Sequence, residues 1–163
     1  MLRFYRRGKL AIDMRILQDM VSICYDGMMA NLDFCRKATN TLDKQVFHRL
    51  GEAFQQFCET IWDMIEKHKS PHTTHHQAAS ALSGSVGDAY WQSQKMTLTQ
   101  QPQRLMQVNQ YVAHQLEKLL QQVNTKSLMK ALTKPLSQLK VQMDNAQRQR
   151  EAAKGESITP LES

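Results

Sequence analysis

Apolar residues recur at three- and four-residue steps through four long stretches of this chain, which is the spacing of an amphipathic helix. The first repeat begins at Ile12 and ends at Phe34. The others span residues 47–65, 105–123 and 128–146. This periodicity predicts an all-α protein built from four long helices.

Turn-forming residues separate these helices. The first stops between Ala38 and Thr41, and either Asp43 or Thr41 is suited to cap the second. Pro71 ends the second helix, Pro102 suits the first turn of the third, and Pro135 is expected to kink or restart the fourth.

A long connection lies between the second and third helices. It covers about residues 69–101 and includes a weaker helical segment from Ala78 to Leu98. Gly84 and Gly87 are expected to split that segment into two short pieces. One long crossover of this kind is typical of ferritin-like four-helix bundles, whereas simple up-and-down bundles have short loops throughout. The expected organisation is a basic arm at 1–11, the bundle at 12–153 and a flexible tail at 154–163.

The chain is basic, with 21 Lys and Arg against 15 Asp and Glu, a net charge of +6. The cations are spread along predicted helix faces, which indicates weak attraction to anionic surfaces and no specific nucleic-acid site. Three cysteines cannot all pair within one chain, so reduced thiols and a cytoplasmic location are expected. Asp13 and Arg15 interrupt any secretory signal, and no apolar run is long enough to span a membrane.

Metal and catalytic motifs are weak. A di-iron bundle needs Glu-x-x-His on two helices, and this spacing does not occur in the sequence. The candidate metal ligands are His68, His72, His75 and His76, and the alternative is a polar crossover that merely contains them. The run 83–87 has the glycines and serines of a serine elbow but no preceding strand. We therefore expect no cofactor and no enzymatic activity.

Four aromatic residues are candidates for an exposed interaction surface. Tyr90 and Trp91 lie in the crossover, and Phe4 and Tyr5 lie in the basic arm. An exposed apolar surface of this kind binds a protein partner, a lipid or a hydrophobic granule. The alternative is that Tyr90 and Trp91 cover the end of the bundle core.

The segment Cys24-Tyr25-Asp26-Gly27 resembles the first helix of a family of bacterial ferritin-like proteins of unknown function. Ser83 to Trp91 is similar to the turn that leads to a tryptophan in the crossover of that family. The resemblance implies the ferritin-like fold. The positions that correspond to the family's metal ligands carry neutral side chains, which implies that no functional di-metal site is present: Met28, Met29, Gln107, Asn109, Val112 and Met143.

A second, local resemblance covers the third helix. Asp88-Ala89-Tyr90 and the segment from Gln101 to Leu119 resemble the N-terminal region of polyhydroxyalkanoate synthases and, more loosely, phasins. Three functions follow as expectations. The first is a non-enzymatic structural or interaction module that binds a protein partner or itself. The second is a granule-surface protein, and the third is a metal-binding or stress protein with an unconventional site.

Overall fold

A computed structural model of the chain describes residues 2–68 and 85–162, with side chains at 8–68 and 85–154. Within these ranges the protein is all-α and has no strand, as the periodicity predicts. The helices are α1 (Leu2–Lys37), α2 (Thr41–Lys67), α3 (Ser85–Gln94), α4 (Gln101–Gln121) and α5 (Lys126–Glu162). In the described part of the chain, no helix has the length and apolar character needed to cross a bilayer.

Helices α1 and α2 form an antiparallel pair joined by a three-residue connection, 38–40. Asn40 is the N-cap of α2, because its side-chain oxygen accepts a hydrogen bond of 2.7 Å from the backbone N–H of Asp43. The Asn40 amide also donates to the Asp43 carboxylate at 3.0 Å. The prediction that Asp43 or Thr41 is the cap is therefore wrong, since both residues lie in the first turn of the helix.

Two glycines set the close approach of α1 and α2. A methyl group added at Gly27 would lie 2.7 Å from the ring of Phe54, and one added at Gly51 would lie 2.5 Å from the side chain of Leu32. Both distances are shorter than van der Waals contact. Phe54 is fully buried, whereas Leu32 is only half-buried and ends in a flexible isobutyl group.

Replacing Gly27 by alanine is therefore expected to lower the free energy of unfolding by about 1 to 3 kcal/mol, because the buried Phe54 ring has no free space to move into. This loss outweighs the gain of about 1 kcal/mol in helix propensity. The matched control is Gly51→Ala, where Leu32 can turn toward solvent and the change stays within about 1 kcal/mol. Urea unfolding measures both, and equal losses for the two variants would contradict this packing.

Helix α4 packs against α1 and runs antiparallel to it. Asn31 of α1 is hydrogen-bonded to Asn109 in the first half of α4, and Asp13 is hydrogen-bonded to Asn124 just after the end of α4. Increasing residue numbers on one helix therefore match decreasing numbers on the other. Since α2 is also antiparallel to α1, α2 and α4 point in the same direction.

Helix α5 lies against both α2 and α4. Gln110 and Glu117 of α4 contact Gln147 and Lys140 of α5, which makes this pair antiparallel. The four long helices thus contact one another in the cyclic order α1, α2, α5, α4. Helix α3 packs on α1 and α4.

The core follows the predicted apolar stripes, with one clear exception. The inward positions expected for the last helix are all buried: Leu128, Leu132, Leu136, Leu139, Met143 and Ala146. Ile12 was expected at the start of the first stripe but is 53% exposed. Its neighbour Asp13 turns inward instead, because it binds the connection between α4 and α5.

Helix bounds differ from the predicted ones at both ends of the chain. Helix α1 begins at Leu2 rather than Ile12, and α5 continues past Ala153 to Glu162. Helix α5 also runs through Pro135 without a restart, because buried leucines on both sides of it hold the helix in place. Gly87 does not break α3, since it lies on the buried face of that helix.

Candidate functional site

A pair of amide side chains lies in the middle of the core and joins α1 to α4. Asn31 and Asn109 are both completely buried. The Asn31 amide donates to the Asn109 side-chain oxygen at 3.0 Å, and the Asn109 amide donates back to the Asn31 oxygen at 2.8 Å. Asn31 also donates to the backbone carbonyl of Gly27 at 2.6 Å. The two buried residues therefore satisfy each other's hydrogen-bonding groups.

Tyr90 connects α3 to this amide pair. Its hydroxyl donates to the Asn109 side-chain oxygen at 2.9 Å, and the Ser93 hydroxyl donates to the Tyr90 carbonyl at 2.7 Å. Burial raises the pKa of Tyr90 well above its ordinary value, and negative charge on Cys24 or Asp26 would raise that pKa further. The hydroxyl thus stays protonated and available as a donor. The Asn109 oxygen accepts two hydrogen bonds, so both of its lone pairs are occupied.

Asp26 is the one buried side chain at this site with an unsatisfied atom. Only 5% of the residue is exposed, and among the described residues its Oδ2 is the single buried side-chain oxygen or nitrogen that has no hydrogen-bond partner. Burial raises the pKa of the Asp26 carboxyl from 3.8 to about 6. The site therefore consists of a satisfied neutral network beside one carboxyl group whose charged form is disfavoured.

The residues at this site do not fit a di-metal centre. Such a centre needs several carboxylates and imidazoles facing one point, and the described part of the chain contains no group of three His, Cys, Asp or Glu residues that could hold a metal ion. Of the positions that the resemblance matched to ligands, Gln107 is exposed, Val112 and Met143 are buried and apolar, and Asn109 uses its oxygen for the network. The thioether of a methionine is also a poor ligand for hard cations.

The candidate histidines are not brought together in the described structure. His68 is the C-cap of α2 and is exposed, with its Nδ1 2.8 Å from the Met64 carbonyl oxygen. The other three candidates, His72, His75 and His76, lie outside the described residues. The hypothesis of a histidine metal site in the crossover therefore stays a prediction.

Of the two crossover residues that are candidates for an interaction surface, Tyr90 is buried and Trp91 is exposed. Tyr90 was predicted at an exposed surface, but only 2% of it is exposed, because its ring and hydroxyl dock α3 onto the core. Trp91, the next residue, is 54% exposed. Phe4 and Tyr5 are in α1, and their side chains lie outside the described ones.

The exposed surface around Trp91 continues into the turn that follows α3. Met96 and Leu98 in that turn are 38% and 51% exposed. The Lys95 ammonium lies 5.2 Å from the centre of the Trp91 ring, a cation–π distance. We call Trp91, Lys95, Met96 and Leu98 the α3 surface. It presents apolar side chains and a positive charge to solvent.

Part of the buried network could be predicted from the sequence. Asn31 follows Gly27 by four residues and precedes Phe34 by three, so it lies on the apolar stripe of α1. An asparagine on such a stripe is the signal for a buried polar contact, and its partner Asn109 lies on the inner face of α4. Asp26 gives a similar signal, since it follows Ile23 by three residues and precedes Ala30 by four.

No protein-family model, curated protein or solved structure matches this chain. Its function is inferred from its own residues.

Proposed function

We propose that the chain is a ferritin-like four-helix bundle that serves as a structural and interaction module. The directions of the helices support the ferritin-like topology. Helices α2 and α4 point the same way, so the segment between Lys67 and Gln101 has to return along the length of the bundle. A helix of the length of α2 rises about 40 Å, and the connecting segment is long enough to cover this distance.

The neutral centre supports a role without metal chemistry. The Asn31–Asn109 pair and Tyr90 lie in the interior and satisfy one another, and Asn109 is one of the positions that the resemblance matches to a metal ligand. A network whose members are fully paired stabilises one arrangement of the helices. On this proposal the centre positions α3, and the function lies on the surface that α3 presents.

The observation that carries the proposal is the α3 surface. Trp91 is more than half exposed, and two further exposed apolar residues, Met96 and Leu98, follow it after five and seven residues. Exposed apolar side chains of this kind are typical of a contact site for another molecule. Tryptophan is among the residues that contribute most to protein interfaces. We propose that this surface binds a protein partner, in the first instance a second copy of this chain.

Sedimentation equilibrium over a range of protein concentrations tests this proposal. The wild-type protein is expected to form a dimer, and Trp91→Gln is expected to weaken it at least about tenfold, the effect of losing about 1.4 kcal/mol at an interface. The matched control is Val141→Gln, because Val141 is 53% exposed on α5, away from α3. A wild-type protein that stays monomeric at high concentration would contradict self-association.

The pairing of Trp91 with Lys95 favours a second candidate function, binding to a hydrophobic polyester granule with an anionic coat. Purified wild-type protein would then partition onto polyester granules, and Trp91→Gln would stay in solution. Tyr90 is unsuitable for this test, because its removal disturbs the core. Wild-type protein that stays in solution in the presence of granules would rule this function out.

A further inference from the structure

Helix α3 is the shortest helix in the described part of the chain. It has ten residues, which is too short for a stable isolated helix, and it packs on α1 and α4. Its buried positions are Val86, Gly87, Tyr90 and Ser93. A helix attached in this way opens locally with a smaller free-energy change than the unfolding of the whole bundle.

Asp26 of α1 lies in the same cluster as the anchor of α3. Its buried Oδ2 has no partner, and a charge on Asp26 acts on the hydroxyl of Tyr90. In the unfolded chain, water solvates this carboxylate. With α3 docked, the ionised form loses that solvation and gains no hydrogen bond to Oδ2 in return.

The other titratable groups of the cluster provide no compensating positive charge. Helix α1 contributes Cys24, α2 contributes Cys58 beside it, and α3 contributes Tyr90, while α4 contributes the uncharged Asn109. Burial raises the pKa of Cys24, Cys58 and Tyr90, so all three are neutral at pH 7. Ionisation of Asp26 thus places an unpaired negative charge in the cluster that contains Tyr90 of α3.

We propose that Asp26 makes the docking of α3 dependent on pH, so that the helix is held while the carboxyl is protonated and loosens when it ionises. The inference goes beyond the proposed function, because it applies whatever molecule the α3 surface binds. It would make the availability of Trp91 and of the buried face of α3 sensitive to pH.

The sign and size of the effect follow from proton linkage. Asp26 has a pKa of about 6 in the docked state. On this proposal the opening of α3 exposes the carboxyl and returns its pKa to the ordinary value of 3.8, so the docked state binds the proton more tightly. Stability from this group is present below the lower value and is lost as the pH rises through the higher one. Between about pH 5 and pH 7.5 these values predict that the opening of α3 becomes about tenfold more favourable.

Amide hydrogen exchange, corrected for the intrinsic pH dependence of exchange, measures this opening. In the wild-type protein, protection in residues 86–94 is expected to fall about tenfold between about pH 5 and pH 7.5, while protection in the middle of α2 stays constant. Asp26→Asn should remove the pH dependence. Asp88→Asn, which changes an exposed carboxylate on α3 itself, should leave the dependence intact.

Two results would overturn the proposal. One is the same pH dependence in Asp26→Asn as in the wild type, and the other is a parallel loss of protection in α2, which would mean global unfolding. A titration of the wild-type carboxyl groups by NMR gives an answer without any substitution. A midpoint for Asp26 close to 6 agrees with the proposal, and an ordinary value contradicts it.

Discussion

Replacing Asn109 by leucine is expected to lower the free energy of unfolding by about 3 to 5 kcal/mol. The leucine is close in size to asparagine but removes the partner of both Asn31 and Tyr90. Each of these buried polar groups is then left unsatisfied, at a cost of about 1 to 3 kcal/mol per group. Urea unfolding followed by circular dichroism measures the loss. The control Gln110→Leu changes an exposed neighbour on the same helix and should stay within about 0.5 kcal/mol.

Removal of the whole network should be tolerated better than removal of one member. In the triple variant Asn31→Leu, Asn109→Leu, Tyr90→Phe, no buried polar group remains unpaired, so most of the lost stability should return. The coupling energy of the network is the difference between the stability loss of the triple variant and the sum of the losses of the three single variants. If the triple variant is as unstable as the sum of its single changes, the residues do not act as one hydrogen-bonded unit.

The Asp13→Ala variant has the second-largest expected effect, a loss of about 2 to 3 kcal/mol at neutral pH. The Asp13 carboxylate accepts hydrogen bonds of 2.8 Å and 2.9 Å from the backbone N–H groups of Asn124 and Thr125, and the Thr125 hydroxyl donates to it as well. It therefore attaches the beginning of α1 to the connection between α4 and α5. Hydrogen bonds to a charged group contribute about 1.5 to 3 kcal/mol, and several are lost together.

The pH dependence of this effect gives a second check. Burial raises the pKa of Asp13, but the hydrogen bonds from Asn124 and Thr125 outweigh burial and hold it below its ordinary value of 3.8. The stabilisation is therefore complete above 3.8 and is lost as the pH falls through the lower folded value. The stability difference between wild type and Asp13→Ala should shrink in strong acid. A difference that stays constant there would contradict the role of the carboxylate.

The long helices could be predicted from the sequence because each carries a continuous apolar stripe. The stripe of α2 is the clearest example, since Phe47, Leu50 and Phe54 were expected inside and are buried. The predictions fail where burial depends on a neighbouring segment. Ile12 continues the α1 stripe but lies exposed, because the inward contact in the N-terminal part of the helix is made by Asp13.

The candidate site could be predicted only in part. The sequence places Tyr90 and Trp91 together as aromatic residues, but periodicity in a ten-residue helix does not tell which of them faces inward. The structure shows that Tyr90 is the residue that faces inward, because its hydroxyl donates a hydrogen bond to Asn109. The sequence alone shows that position 109 carries a neutral asparagine and not an acidic ligand. It does not show that Asn109 pairs with Asn31, because the two residues are 78 positions apart and are brought together only by the fold.

A neutral network whose members are hydrogen-bonded to one another occupies the centre of the bundle. We propose on this ground that the protein acts through its surface and not through a bound metal. Metal analysis after anaerobic incubation with ferrous or manganous ions, followed by desalting, tests this most directly. The variant to use beside the wild type carries His72→Gln, His75→Gln and His76→Gln, which separates a crossover site from a central one. The account predicts that this variant retains no stoichiometric iron or manganese. Retention of a stoichiometric amount by the variant would contradict it.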